Sequence, residues 1–235
     1  MARQWTRWPR AQGKIRLLIE WNDLTNHQNF IPWLKEHLLG HLLGREYDSD
    51  EHPFTAQERN ALIFMHNCIY KHHILRVNYT TYDLRRAQDL LNPRTHADFM
   101  TLSHEDPDDM DPGKKFPYWF GRILGIFHAV VMYTEHGSHC ELPQLQRMEF
   151  LFVRWFGCDL KHHGGWRNKR LHHIGFVDGN DDATFGFLDP QEVIRGVHLI
   201  PVFYYGQTRE LFPPSRITCP DHDKDKDWQY FYINQ

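Results

Sequence analysis

Between Phe116 and Phe156 the apolar positions run almost unbroken, from Tyr118 to Tyr133 and again from Met148 to Phe156, with a polar connection between them. β-Branched and aromatic residues dominate both runs, and no apolar stripe of helical period survives, so they predict two long strands of a buried hairpin. In the first run the odd positions Trp119, Gly121, Ile123, Gly125, Phe127, Ala129, Val131 and Tyr133 carry no charge, whereas the even positions include Arg122 and His128. The odd face is therefore expected to point inward. Gly121 and Gly125 inside so long a strand mark a bend or a close approach, which predicts a small bent barrel rather than a flat sheet.

Upstream the period changes. Ile31, Leu34, Leu38, Leu39, Leu42 and Leu43 fall on one helical stripe, with Pro32 in the first turn and Gly44 placed to end it. Thr55 and Glu58 form a T-x-x-E capping box that opens a second helix, expected to use Leu62, Ile63 and Met65 and to end near His66-Asn67. From Cys68 to Thr81 apolar and polar residues alternate as in a half-exposed strand. Asp83 to Leu91 reads as a short helix stopped by Asn92-Pro93, and Ala97 to Leu102 as a weak strand. After Phe156 the strand candidates are Ile174–Val177, Thr184–Leu188 and Val193–Tyr205, with a turn at Gly179-Asn180-Asp181, and an apolar end at Trp228–Ile233.

The division that follows is a basic arm over 1–15, an N-terminal helical and α+β portion over 16–110, a β-barrel portion over 116–205, and an irregular, charged C-terminal segment over 206–235. That last segment looks cut short. The expected fold class is α+β, with N-terminal helices packed on a bent, mostly antiparallel β-barrel.

Composition narrows the function. The 235 residues are 41% hydrophobic and 14% aromatic, enough to bury a sizeable core. With 27 Lys plus Arg against 30 Asp plus Glu the net charge is −3, so nucleic acid or an acidic membrane can be drawn only to a local patch. Four cysteines without a CxxC pair, and no signal-peptide pattern ahead of them, fit a reducing intracellular compartment. The apolar runs are broken well before the roughly 20 residues a spanning helix needs, and no membrane partner is expected.

Candidate chemistry is sparse. The 18 histidines include His136, His139, His162-His163 and His172-His173, with Cys140 beside the second. None has the paired spacing of a zinc motif, and surface histidines are the simpler reading. The acidic run Glu105 to Gly113 has too little apolar surface to order itself and reads as a solvated loop, not a Mg²⁺ site. No nucleophile elbow, phosphate loop or dinucleotide fingerprint occurs. No catalytic residue, metal or cofactor is therefore expected.

Two surfaces remain as binding candidates. Tyr118, Trp119, Arg122, Arg154 and Trp155 sit at corresponding ends of the two long strands, where exposed rings would form a cage for a methylated ammonium. A peptide-binding role is the expectation there, against the simpler reading that these rings fill the core. Lys161, Trp166, Arg167, Lys169 and Arg170 lie in a stretch without one acidic residue. That stretch is the candidate nucleic-acid site, its cations on phosphates and Trp166 stacked on an unpaired base.

The long motifs carry a resemblance. Leu34 to Asp48, Arg76 to Arg86, Asn92-Pro-Arg-Thr-His96, Pro117 to Ala129, Val153-Arg-Trp-Phe-Gly157 and Phe187 to Pro201 resemble a module in mushroom-forming (basidiomycete) fungi. That module is similar to the C-terminal part of transposase-like proteins of the Plavaka and Kyakuja–Dileera–Zisupton groups, and the resemblance covers about residues 16 to 235. In such proteins the catalytic core with its acidic metal ligands lies upstream, so no catalytic residue carries over. Tyr118 to Phe127, Val153 to Phe156 and Ile194 to Pro201 are further similar to the strands of a bromo-adjacent homology domain, a β-barrel that binds chromatin proteins. These resemblances imply a nuclear, non-catalytic interaction module of a transposon-derived protein, contacting a chromatin protein or partner subunit; the basic loop adds DNA as a further candidate partner. The alternatives are a transposase fragment acting on nucleic acid with metal-bound carboxylates, or a degenerate remnant without activity.

Overall fold

The two apolar runs form the strands they predict, Tyr118–Tyr133 and Leu145–Cys158, paired antiparallel from Phe120 opposite Phe156 to Met132 opposite Leu145. A computed structural model describes the chain over residues 13–16, 30–45, 54–103, 117–134, 145–159, 161, 162, 164, 169–179, 181–208 and 227–234. The acidic run 105–113, His136, His139, Cys140, His163, Trp166, Arg167 and Cys219 lie outside these.

In chain order the elements are β1 (Gly13–Arg16), α1 (Phe30–Leu43), α2 (Ala56–Ala61), β2 (Leu62–Phe64), β3 (Cys68–His72), β4 (Leu75–Thr80), β5 (Arg86–Leu91), β6 (Asp98–Leu102), β7 (Tyr118–Tyr133), β8 (Leu145–Cys158), β9 (His173–Phe176), β10 (Phe185–Leu188), β11 (Arg195–Gly196), β12 (His198–Pro201), β13 (Gln207–Thr208), β14 (Asp227–Trp228) and β15 (Phe231–Asn234). The fold is α+β, and among the described residues all strand pairs are antiparallel.

One eleven-stranded sheet runs in the order β1-β3-β7-β8-β9-β15-β12, with β2 and β6 also on β7, β10 on β8 and β11 on β6. It draws strands from the N-terminal, central and C-terminal parts of the chain alike. Among the described residues no closed barrel is found. β11 adds two residues to β6 and continues through Val197 into β12, which pairs with β15.

A single extra residue organises the core. The β7–β8 register shifts between Ile123 and Gly125, leaving Leu124 as a bulge, and a one-residue shift exchanges the two faces of a strand. Tyr118, Phe120, Arg122 and Leu124 before the bulge therefore share a face with Phe127, Ala129 and Val131 after it. The opposite face carries Trp119, Gly121 and Ile123, then Ile126 and His128. Both faces are covered, so the odd positions are not a single inward face. On the first face, Phe30, Leu34, Leu38 and Leu39 of α1 pack with Phe127, Phe150 and Phe152. Further along it Phe120, Phe156, Ile174, Phe176, Phe231 and Ile233 form a second cluster. On the other face Ile123, Ile126, Leu151 and Val153 pack with Phe99.

The glycines serve rings rather than a barrel corner. A Cβ on Gly121 would stand 2.6 Å from the Phe99 ring and 3.2 Å from that of Trp155, and one on Gly125 would overlap the ring of Phe127. Gly44 ends α1 with φ +59°, as the spacing predicts. The Thr55–Glu58 capping box also forms, with Thr55 Oγ1 accepting from the Glu58 N–H at 3.2 Å and Glu58 Oε2 accepting from the Thr55 N–H at 2.8 Å.

Two helical expectations are corrected. α2 stops at Ala61, because Leu62, Ile63 and Phe64 pair with the end of β7 and bury two of the three side chains. The stretch 83–91 holds a strand, not a helix: β5 pairs with β4 over six residues in a hairpin whose turn places Leu84 at φ +62°. Sheet pairing outweighs the helix propensity of Arg, Ala, Gln and Leu there.

Candidate binding cleft

The five aromatic and arginine candidates do not converge. Trp119 and Trp155 meet edge to face with centroids 5.9 Å apart, and Trp155 also meets Phe99 at 5.9 Å. A Cβ on Gly186 would come 2.8 Å from Trp155 Nε1, so the indole is wedged between two strands. Tyr118, Arg122 and Arg154 lie on the other face. Arg122 and Arg154 are direct cross-strand neighbours whose guanidinium groups stack on Phe176 at 5.0 and 3.7 Å, and Arg122 also binds Asp98 through Nε at 2.7 Å and Nη2 at 3.2 Å. Cation–π contact and a two-pronged carboxylate bond hold these cations within the fold. The sheet itself separates them from the two indoles.

A different convergence lies where the basic stretch meets β9 and β15. Asp159, at the end of β8, binds His173 by a backbone hydrogen bond, Asp159 N–H to His173 C=O at 3.1 Å. Its carboxylate accepts from the Lys161 N–H at 3.0 Å and from His173 Nδ1 at 3.4 Å. Burial alone would raise the Asp159 carboxyl, but the Lys161 N–H, the His173 hydrogen bond and the two nearby imidazoles hold it below the usual carboxylate range. The His173 imidazole is only 4% exposed, and burial lowers its pKa although Asp159 opposes that shift. Its Nε2 is buried and meets no hydrogen-bond partner among the described residues.

Rings pack around this imidazole. His162 stacks on it with centroids 4.0 Å apart, Tyr230 lies nearly parallel at 5.4 Å, Tyr232 stands at 4.7 Å and Tyr205 meets it edge-on at 5.9 Å. His162 donates from Nε2 to the Leu171 carbonyl at 3.2 Å, which fixes its ring. Gly164 allows the chain to return so closely, since a Cβ there would stand 2.8 Å from His172 Cα and 2.9 Å from the Leu171 oxygen. The result is a cleft of about 370 Å³ lined by His162, Arg170, Leu171 and Tyr232. Beyond it Phe203 and Tyr204 are 71% and 89% exposed, with Tyr204 against Tyr205 and Phe203 against Trp228.

The structure thus brings Arg170 to a cleft and leaves Lys161 and Lys169 exposed beside it. Tyr205, Tyr230 and Tyr232 were invisible as partners of this stretch, because β15 reaches β9 only through tertiary pairing, Tyr232 opposite His173. Nor are the histidines all at the surface. His72, His128 and His173 are buried: the first two against each other and Tyr70, the third among His162, Tyr230 and Tyr232. Among the described residues no three His, Cys, Asp or Glu side chains gather as a metal site, and no helix is long and apolar enough to cross a membrane. No protein-family model, curated protein or solved structure matches the chain.

Proposed function

We propose that this chain is a non-catalytic interaction module whose partner docks on the aromatic rim of the β9–β15 cleft. The carrying observation is the solvent-facing pair Phe203 and Tyr204, backed by Tyr205, Tyr230 and Trp228. Exposed large aromatics in contact with one another are characteristic of binding hot spots, because a ring buries much area and has little rotamer freedom to lose. The resemblance to transposon-derived nuclear proteins and to bromo-adjacent homology domains directs the choice of partner to a chromatin protein or partner subunit. In its support, the three segments of that likeness, Tyr118 to Phe127, Val153 to Phe156 and Ile194 to Pro201, all lie in or next to strands of the same sheet.

The test is binding to reconstituted nucleosomes compared with the same DNA free of histones. Nucleosomes are expected to bind the tighter, and changing Phe203 and Tyr204 together to Ser should remove the surplus while the thermal midpoint holds. Equal binding of nucleosomes and naked DNA by the parent chain would overturn the protein-binding reading.

A further inference from the structure

The cleft floor differs in chemistry from its rim. Arg170, His162 and Tyr232 put a guanidinium, an imidazole and a phenol ring around one opening, with Leu171 as the apolar wall. Exposed Lys161 and Lys169 add two cations on the same stretch. Asp159, the acid of this cluster, is engaged on both oxygens by the Lys161 N–H and His173. The local field is therefore positive in a chain whose net charge is −3. At about 370 Å³ the cleft lies near the lower end of the roughly 300–1,000 Å³ spanned by ligand pockets, which suits one planar group with a short polar tail.

We infer that this cleft holds one unpaired nucleotide of a single-stranded nucleic acid, its base against Tyr232 and His162 and its phosphate on Arg170. Three features carry the assignment. Ring faces and edges are already presented by side chains fixed in the fold: His162 by its bond to Leu171 and by stacking on His173, and Tyr232 by pairing in β15. An aromatic wall takes any base, because every base has a π face. Arg170 supplies a fork that matches phosphate oxygens, with Lys161 and Lys169 as point charges for the phosphates on either side. A duplex keeps its bases stacked on each other and offers this cleft only backbone, so unpaired strands are the preferred ligand. The inference extends the interaction-module reading to a second ligand and uses residues other than Phe203 and Tyr204.

The experiment is a fluorescence-anisotropy titration with a labelled oligothymidylate of about ten nucleotides, within the site sizes that single-strand platforms span, and with a duplex of equal length. The single strand is expected to bind roughly tenfold tighter than the duplex. Tyr232→Ala and Arg170→Ala should each weaken it at least about fivefold, while Tyr232→Phe keeps the ring and keeps the affinity. With about three phosphates neutralised, the logarithm of the affinity should fall against that of the salt concentration with a slope of about −2. Trp119→Ala, on β7 and outside the lining of the cleft, serves as the control and should leave oligonucleotide binding unchanged. Equal affinity for duplex and single strand, or unchanged binding in both the Tyr232→Ala and Arg170→Ala variants, overturns the inference. No binding by the parent chain even at low salt does so too. Loss of nucleosome binding in the Phe203, Tyr204 double variant with the oligonucleotide still bound would separate the two sites.

Discussion

His72 and His128 meet inside the sheet, Nε2 to Nδ1 at 2.7 Å, whereas His162 and His173 stack face to face 4.0 Å apart beside an open cleft. The first pair is 1% and 7% exposed, and Tyr70 lies stacked on His128 at 4.7 Å. One neutral ring donates and the other accepts, so that pair needs neither charge nor solvent. In the second pair each ring is bound on its other side, His173 by Asp159 and His162 by the Leu171 carbonyl, and the stacked faces extend toward solvent through tyrosines. Identical side chains thus do opposite work. Ring packing across β3 and β7 turns one pair into core, and a returning loop turns the other into the wall of an open cleft.

Truncation should break the comparison most sharply. His72→Ala removes a buried ring and leaves His128 without its partner, so it should cost about 2–4 kcal/mol of stability. His162→Ala, at the half-buried member of the second pair, should cost under about 1 kcal/mol and instead weaken oligonucleotide binding. Urea unfolding of both variants checks the order. Similar losses in the two would mean that the pairs do not differ in kind.

Acid should act on the sealed pair next. Burial, the nearby Arg147 and His72 push the His128 pKa down from 6.5 to about 4, and the cross-strand Glu149, which accepts from Arg147 at 3.0 Å, is the acid facing it. A group whose folded pKa lies below its unfolded value binds fewer protons when folded. Its contribution is present above the unfolded value near 6.5 and is lost as the pH falls from there toward 4. Between pH 7 and pH 5 the loss from His128 should be on the order of 2 kcal/mol. His37, held down to about 3 by burial and by His41, should add a loss of the same sign. Unfolding midpoints measured across this range should fall with pH, and His128→Asn should flatten the profile. A midpoint independent of pH would contradict the burial of the His128 ring.

What was legible in the sequence divides along the same line. Local signals were: the apolar runs at 118–133 and 148–156, the αL glycine at Gly44 and the Thr55–Glu58 box all depend on a few neighbouring residues. The strand at Arg86–Leu91 was not, because its sequence favours a helix and only pairing with Leu75–Thr80 makes it extended. The bulge at Leu124 leaves no mark in a continuous apolar run, yet it decides that Phe120 and Arg122 share a face with Phe127 and Ala129, so the odd positions cannot form one inward face. The cationic half of the candidate cleft could be read from the stretch after Cys158. Its aromatic half comes from residues 205–232, and only the antiparallel pairing of β15 with β9 brings Tyr232 opposite His173.

The central claim is that the β9–β15 cleft is where this protein holds an unpaired base, and photocrosslinking reads that contact directly. A 5-iodouracil-substituted single strand, irradiated with the purified chain and mapped by mass spectrometry, is expected to join to Tyr232 or His162. Attachment confined to the fully exposed Tyr82 at the tip of the β4–β5 hairpin, or no attachment at all, would contradict the account.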